Sequence, residues 1–268
     1  MTAAATHGGW SGVAEAYAAY FAPLCAGAES AVLHAAGLDS GEEPGLRVLD
    51  VGTGPGRLAV AALARGAEVT AVDPDDQMLD LALQAAPEAT IQRAGLPDLP
   101  FQDHSFDVVL ANFVVNHLTD PHAGVRELAR VTAPGGRVVV SIWPSGTSVQ
   151  GQLWTDVLAA AEAKPVPGVR LPADKDFPRT PGGLADLLAR SGLRHVESRL
   201  ISWEHRAEPT ALWLGAEAGI GGIGETVTAQ TPEVRDRLRL AYDSLVTRHV
   251  RDGVLAFEAT AVVAVGVV

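Results

Sequence analysis

The stretch Val48-Leu49-Asp50-Val51-Gly52-Thr53-Gly54-Pro55-Gly56 decides how this chain reads. An apolar run of strand character carries an acid and then turns through three glycines set at every second position. Alternate glycines let a backbone approach a ligand where any Cβ would clash, and they lead into a helix whose first N–H groups face that ligand. A dinucleotide-binding turn is spaced G-x-G-x-x-G. Here the third glycine comes one residue early, and Arg57 stands where that spacing needs glycine. A nicotinamide dinucleotide is thereby disfavoured. Further on, Asp73 ends a second predicted strand, a position from which a carboxylate can accept hydrogen bonds from both hydroxyls of a ribose. An acid before a proline turn also reads as a helix cap, and the glycine turn upstream favours the ribose reading.

Working outward, residues 46–143 alternate short β-branched runs with helical stretches, the pattern of right-handed βαβ units around a parallel sheet. Strands are predicted at 47–51, 68–73, 90–93, 106–111 and 137–142, with helices at 56–64, 76–85 and 122–131. Pro134-Gly135-Gly136 reads as the turn that ends the last helix and starts the next strand. Upstream, Trp10, Val13, Tyr17, Tyr20 and Phe21 form an apolar stripe at helical spacing. It predicts a helix packed on the body and, compatibly, a lid whose aromatic faces could meet a ligand cation. Downstream, a helix is expected at 150–162, a proline-rich loop at 164–178 and a helix at 181–191 opened by Thr180-Pro181. A strand at 194–205, a helix at 232–251 and a final strand at 255–268 complete the chain. Gly219 to Gly224 spells G-x-G-x-x-G, but it follows a helical stretch rather than a strand and reads as a loop.

Composition narrows the function. At 268 residues, with 47% hydrophobic and 19% charged, the chain can bury a sizeable core and is far from the polar chains that stay disordered. Acids outnumber bases 32 to 20 for a formal charge of -12, and only Lys164 and Lys175 are lysines, so a phosphate backbone would be repelled. No nucleic-acid partner is expected. No run approaches the ~20 apolar residues that span a bilayer, residues 1–9 lack a signal-peptide pattern, and no membrane is expected. The single cysteine, Cys25, excludes an intrachain disulfide, fits a reducing cytoplasm and reads as a small buried hydrophobe. Abundant alanine and the preference for arginine over lysine suggest a GC-rich bacterial genome.

The ordered set Val48 to Gly56, Val72-Asp73-Pro74 through Met78, Leu99-Pro100-Phe101, Ser105 to Val109, and Arg126 to Val131 leading to Pro134-Gly135-Gly136 resembles the class I S-adenosylmethionine-dependent methyltransferases, specifically their small-molecule group. The resemblance covers residues 46–143 and loosens beyond. It implies an α/β, Rossmann-like fold: a seven-stranded, mostly parallel sheet with an antiparallel last strand and helices on both faces. One domain is expected, with a helical lid at 1–45, a cofactor-binding core at 46–143, a substrate cap at 144–192 and the rest of the sheet at 193–268. The implied cofactor is S-adenosylmethionine, leaving S-adenosylhomocysteine as product. Asp50 and the loop Gly52, Thr53, Gly54, Gly56 would hold the methionine part, Asp73 the ribose, and Pro74 and Met78 the adenine faces. Backbone at Gly95 and Leu96 would meet the adenine edge, although relatives often carry an aspartate where this chain has Gly95. Asn112, Phe113 and His117 would lie near the methyl and the carboxylate end.

The nucleobase and amide methyltransferases of this fold carry an N-P-P-Y type tetrapeptide after the fourth strand, where this chain has Ala111-Asn112-Phe113-Val114. A small, neutral or apolar acceptor fits better, with Trp10, Tyr17, Tyr20, Phe21 and Trp143 as candidate walls of its pocket. Trp154, Trp203 and Trp213 read as core. Methyl transfer needs a base only where the acceptor must lose a proton. His117 is the catalytic candidate, although a ligand-contact or structural role is favoured for it, with His7 and His122 behind it. No metal is expected. Three readings stand at this point: methyl transfer to a small molecule, with bacterial natural products favoured; a protein of this fold that binds the sulfonium without methylating; and an NAD-dependent oxidoreductase. The acceptor atom and the oligomeric state are open.

Overall fold

The computed structural model describes residues 10, 12–39, 45–146, 148–168 and 170–268. Three N-terminal helices, α1 (Ala14–Tyr20), α2 (Ala22–Cys25) and α3 (Glu29–Ala36), precede β1 (Arg47–Val51). Alternating elements follow: α4 (Arg57–Leu63), β2 (Glu68–Asp73), α5 (Asp76–Ala85), β3 (Thr90–Arg93), β4 (Phe106–Asn112), α6 (Pro121–Val131) and β5 (Thr132–Ile142). The second half comprises α7 (Val149–Ala160), α8 (Pro181–Arg190), β6 (Arg194–Ala207), α9 (Ala211–Glu217), α10 (Gly221–Thr228), α11 (Pro232–Val246), β7 (Val250–Arg251) and β8 (Val254–Val267).

Seven strands form one sheet in the order β3-β2-β1-β4-β5-β8-β6, and the short β7 folds onto β8 as an eighth. The first five pair in parallel, and β8 is antiparallel to both its neighbours. This is the expected fold, with an added hairpin strand. Both faces of the sheet are buried at its centre, which explains the near-continuous apolar runs of β1, β4 and β5. On one face Leu128 of α6 and Leu184, Leu187 and Leu188 of α8 close over Leu49, Val109 and Val140. On the other, Val32 and Leu33 of α3 and Leu58, Ala59 and Ala62 of α4 cover Val48, Leu110 and Val139. A third cluster lies beyond the sheet's end, where Trp154, Trp213 and Tyr242 stack among α7, α9 and α11 over Leu255 and Phe257.

Local chemistry sets the boundaries that matter for the cleft. Asp75, not Asp73, caps α5, its carboxylate accepting from the Gln77 and Met78 backbones. Asp120 caps α6 through Ala123, with Pro121 at the first helical position.

Three expectations change. Pro134-Gly135-Gly136 is not a turn before β5 but a bulge within it: Phe106 pairs Thr132 and Val108 pairs Arg137, so the residues between swing out. Gly136 fits there because a Cβ would sit 2.6 Å from the Asp107 carbonyl. Gly219 to Gly224 is not a loop; it turns through Gly219 and Gly221 at positive φ into α10, with Gly224 packed on Gly219. The segment 144–192 divides, α7 joining α11 in the outer cluster while α8 belongs to the core beneath the sheet.

Candidate active site

The glycine turn joins β1 to α4 through three consecutive left-handed glycines, with φ of +68° at Gly52, +54° at Gly54 and +82° at Gly56. Each has a different reason for lacking a side chain. A Cβ at Gly52 would strike Val114, and one at Gly56 would lie 2.9 Å from the Ala82 Cα, where α4 and α5 touch. A Cβ at Gly54 would meet nothing nearer than Tyr17 at 3.8 Å, because it would project into an open cleft.

Two acids hold this loop. The buried Asp50 accepts from the Thr53 hydroxyl at 2.7 Å, and burial raises its carboxyl to about 7. Asp73 accepts from the Gly54 backbone at 2.9 Å and from the Asp75 backbone at 3.0 Å. Burial outweighs those two bonds and raises its carboxyl to about 6. One carboxylate thus ties the turn after β1 to the end of β2 while still facing the cleft.

A cavity of about 100 Å³ runs along this surface, walled at one end by Pro74 and Met78 and at the other by Asn112, Phe113 and His117. A smaller space of about 40 Å³ continues past Gly52 and Gly54 to Asp50, Thr53, Arg57 and Glu29. Tyr17 of α1 is part of both walls. Its ring packs on Trp10 and Phe21, its hydroxyl meets the Cys25 sulfur at 3.7 Å, and burial raises the phenol well above its ordinary value. Trp10 in turn stands edge-on to His117 with ring centroids 5.5 Å apart. The N-terminal stripe therefore closes over the cleft as well as packing on the body.

Phe113, directly after β4, is a non-glycine residue at φ +58°, a conformation that costs about 1 to 2 kcal/mol. It stacks on Trp143 at 4.1 Å. The buried Ser141 accepts from the Phe113 backbone and donates to the Asn112 amide oxygen at 2.5 Å. That turns the Asn112 amide nitrogen away from Ser141, toward the cleft.

The structure brings together Asp50, Gly52, Thr53, Gly54, Asp73, Pro74, Met78, Asn112, Phe113 and His117 of the expected cofactor residues, and Trp10, Tyr17, Phe21 and Trp143 of the expected aromatic walls. Gly56 stands behind the loop against α5, and Gly95 lies behind Pro74. Leu96 turns its side chain into the core, and Tyr20 sits against Gly215 of α9; neither is among the cleft walls. His122 lies on α6, away from these walls, and His7 falls outside the described residues. Reading the sequence missed Ser141, Glu29 and the contact of Cys25 with Tyr17. A polar residue inside the apolar run Val138-Val139-Val140-Ser141-Ile142 was the available signal for the first; the others depend on how α2 and α3 fold back.

Residues 49–140 match the model of the methyltransferase domain family. An uncharacterized methyltransferase of Mycobacterium sp. (strain JLS) is 42% identical over 101 residues, 37% of this chain and 40% of that protein. The match thus spans about two fifths of the relative's length. Among solved structures, a methyltransferase ascribed to an antibiotic biosynthesis pathway in Anabaena variabilis is 17% identical, covers 88% of this chain and 95% of its own, and superposes with a TM-score of 0.59. Haemonchus contortus phosphoethanolamine N-methyltransferase 2, solved with S-adenosyl-L-methionine, is 18% identical over 90% of this chain and 52% of its own, with a TM-score of 0.52. The family match is thus confined to residues 49–140, and the fold is shared with solved methyltransferases, one of them holding S-adenosyl-L-methionine.

The cleft suits S-adenosylmethionine on its own chemistry. Gly54 leaves a cradle that a Cβ would fill, Asp73 keeps acceptor capacity beyond its two backbone bonds, and Pro74 and Met78 offer apolar faces beside it. Glu29, paired with Arg57 at 2.9 Å, sets both charges at the far end, as a zwitterionic amino acid requires. Among the described residues, no helix is long and apolar enough to cross a membrane.

Proposed function

We propose that the protein transfers a methyl group from S-adenosylmethionine to a small-molecule acceptor. One observation carries the reading: Asp73 bonds the glycine turn through Gly54 and faces a cleft whose far end holds Asp50, Glu29 and Arg57. In that cleft Pro74 and Met78 would flank the adenine, Asp73 would accept from the ribose hydroxyls, and the far end would hold the methionine part. When bound, S-adenosylmethionine supplies a methyl on a positively charged sulfur, which an acceptor lone pair displaces in line.

The residues then have a limited task. Phe113 and Trp143 form a flat wall that orients an acceptor, and Tyr17, Trp10 and Phe21 exclude water, so positioning and desolvation account for most of the acceleration. Asn112, aimed by Ser141, orients a polar group at the junction. His117 could receive a proton from a hydroxyl acceptor through its ring. A bacterial natural product is favoured as acceptor class, supported by the arginine-rich, lysine-poor composition, by a net charge of -12 unsuited to nucleic acid, and by the pathway of the Anabaena relative in fold.

Incubation with S-adenosylmethionine and a panel of phenols, amines and amides, read by mass spectrometry, tests the reading. S-adenosylhomocysteine formed together with a product 14 mass units heavier, roughly one CH₂, is the expected outcome. Tight binding with no product across the panel would favour a protein that uses the sulfonium without transferring its methyl.

A further inference from the structure

Beyond the Trp143 wall lies a second cavity of about 330 Å³ that shares Phe21 and Trp143 with the cofactor cleft. Its body is aromatic and aliphatic: Phe21, Leu24, Trp143, Trp154, Ile223 and Phe257. One side is the open edge of β8. Strand β5 pairs β8 only as far as Ile142 with Val262, and β7 rejoins it at Val250 with Leu255. Between those points, at residues 256–261, β8 is paired only with β6 on its other side. Among the described residues no turn or loop backbone bonds to this stretch, so its N–H and C=O groups on that edge are left for a ligand.

The charge of this cavity is one-sided. Among the described residues Glu258 is the only formally charged one in its lining, and no arginine, lysine or histidine stands there. Glu258 has no ion pair among the described residues and lies directly across from Glu204, whose own partner is Arg206. Like charges directly opposite in an antiparallel pair cost stability. Glu258 is exposed and points to the opposite face of β8 from the buried Phe257 and Ala259, so at the open strand edge it sets a negative charge on the rim of the apolar cavity, which selects against anions and for a cation.

We infer that this outer cavity is the acceptor site, and that it takes an aromatic molecule bearing a protonated amine, its ring against Trp143 and Trp154 and its amine at Glu258. The inference rests on the methyltransferase reading and adds the class of acceptor. Phe21 and Trp143 line both cavities and mark where the two meet, so the acceptor atom would have to reach past them to touch the methyl as the sulfur leaves. Glu258 is a specificity-determining residue, not a catalytic one.

Three matched probes test it on the full chain saturated with S-adenosylhomocysteine: 2-(1-naphthyl)ethylamine, 2-(1-naphthyl)ethanol and 1-naphthylacetate, titrated by calorimetry. The amine is expected to bind about threefold to fivefold tighter than the alcohol, the scale of an exposed ion pair, with the acetate the weakest. Glu258→Gln should bring amine and alcohol to equal affinity and leave the alcohol unchanged. Gln150→Trp, which fills the cavity from the half-buried Gln150 in the first turn of α7, should abolish binding of all three while S-adenosylhomocysteine still raises the melting temperature. No binding by any probe, acetate binding as tightly as the amine, an amine preference that survives Glu258→Gln, or probes still bound by the Gln150→Trp chain would each overturn the inference. A chain that binds the probes but is not stabilised by S-adenosylhomocysteine would sink the cofactor reading instead.

Discussion

Asp73 carries more of this account than any other side chain, because its carboxylate both shapes the glycine turn and lines the cleft. Replacing it with alanine removes acceptors for the ribose and for the Gly54 and Asp75 backbones. Cofactor affinity should fall by about 1.5 to 3 kcal/mol, roughly 10- to 150-fold in Kd by calorimetry. Unchanged affinity would move the site elsewhere. Burial gives a second test, since Asp50 and Asp73 are raised to about 7 and about 6. Between their ordinary value near 4 and about pH 7, the folded chain holds more protons than the unfolded one, so stability without ligand should fall as pH rises through that window. Hydrogen-bond donors from a ligand favour the ionised carboxylates. Binding of S-adenosylhomocysteine at pH 6 should therefore release protons, and its affinity should rise from pH 5 to pH 7. Calorimetry in two buffers of different ionisation enthalpy reads the sign, and proton uptake would contradict the assignment. The loop glycines and Asp73 were legible from their spacing along one βαβ unit, and Asp50, Pro74 and Met78 from the family resemblance carried over those positions. Ser141 was not, because its partners Asn112 and Phe113 lie a full βαβ unit earlier, and the Cys25–Tyr17 contact was not, because it depends on how α2 folds back on α1.

At the scale of elements, the three glycines of the turn separate structure from binding. Gly56→Ala adds a Cβ 2.9 Å from the Ala82 backbone in a left-handed residue, and about 3 kcal/mol of stability should be lost, roughly 6 to 12 °C in melting temperature. Gly54→Ala has room, so it should cost only about 1 to 2 kcal/mol for its positive φ and yet lose cofactor binding. Equal effects on folding and binding at both positions would contradict the division of roles. Helix α1 is the lid of the proposed scheme, since Tyr17 lines both parts of the cleft. Its amides should exchange faster with solvent than those of α4 and α6, and S-adenosylhomocysteine should slow them selectively; exchange in α1 indifferent to ligand would remove the lid. The parallel core was legible from its alternation. The bulge at 133–136 and the glycine-led start of α10 were not, because both depend on backbone packing that Cβ-free residues permit without announcing. Helix α8 is apolar on a face that local sequence cannot assign to cap or core, and contact with β6 and β8 decides it.

For the whole molecule, the sheet gathers the ends of β1, β2 and β4 at one rim, the aromatic stripe of α1 closes over that rim, and the outer helices build a second chamber beside it. Function is a property of this juxtaposition, since no single element holds both chambers. The central claim is that the rim binds a sulfonium nucleoside and not a dinucleotide. A thermal-shift comparison of S-adenosylmethionine, S-adenosylhomocysteine and NADH on the wild-type chain and on Asp73→Ala tests it most directly. At 100 times its dissociation constant a ligand adds about 2.7 kcal/mol, which for a chain of this size raises the midpoint by roughly 5 to 10 °C. The account predicts that rise for the sulfonium and its product on the wild-type chain, a smaller one on the variant, and none for NADH. Stabilisation by NADH alone, or by none of the three, would contradict it.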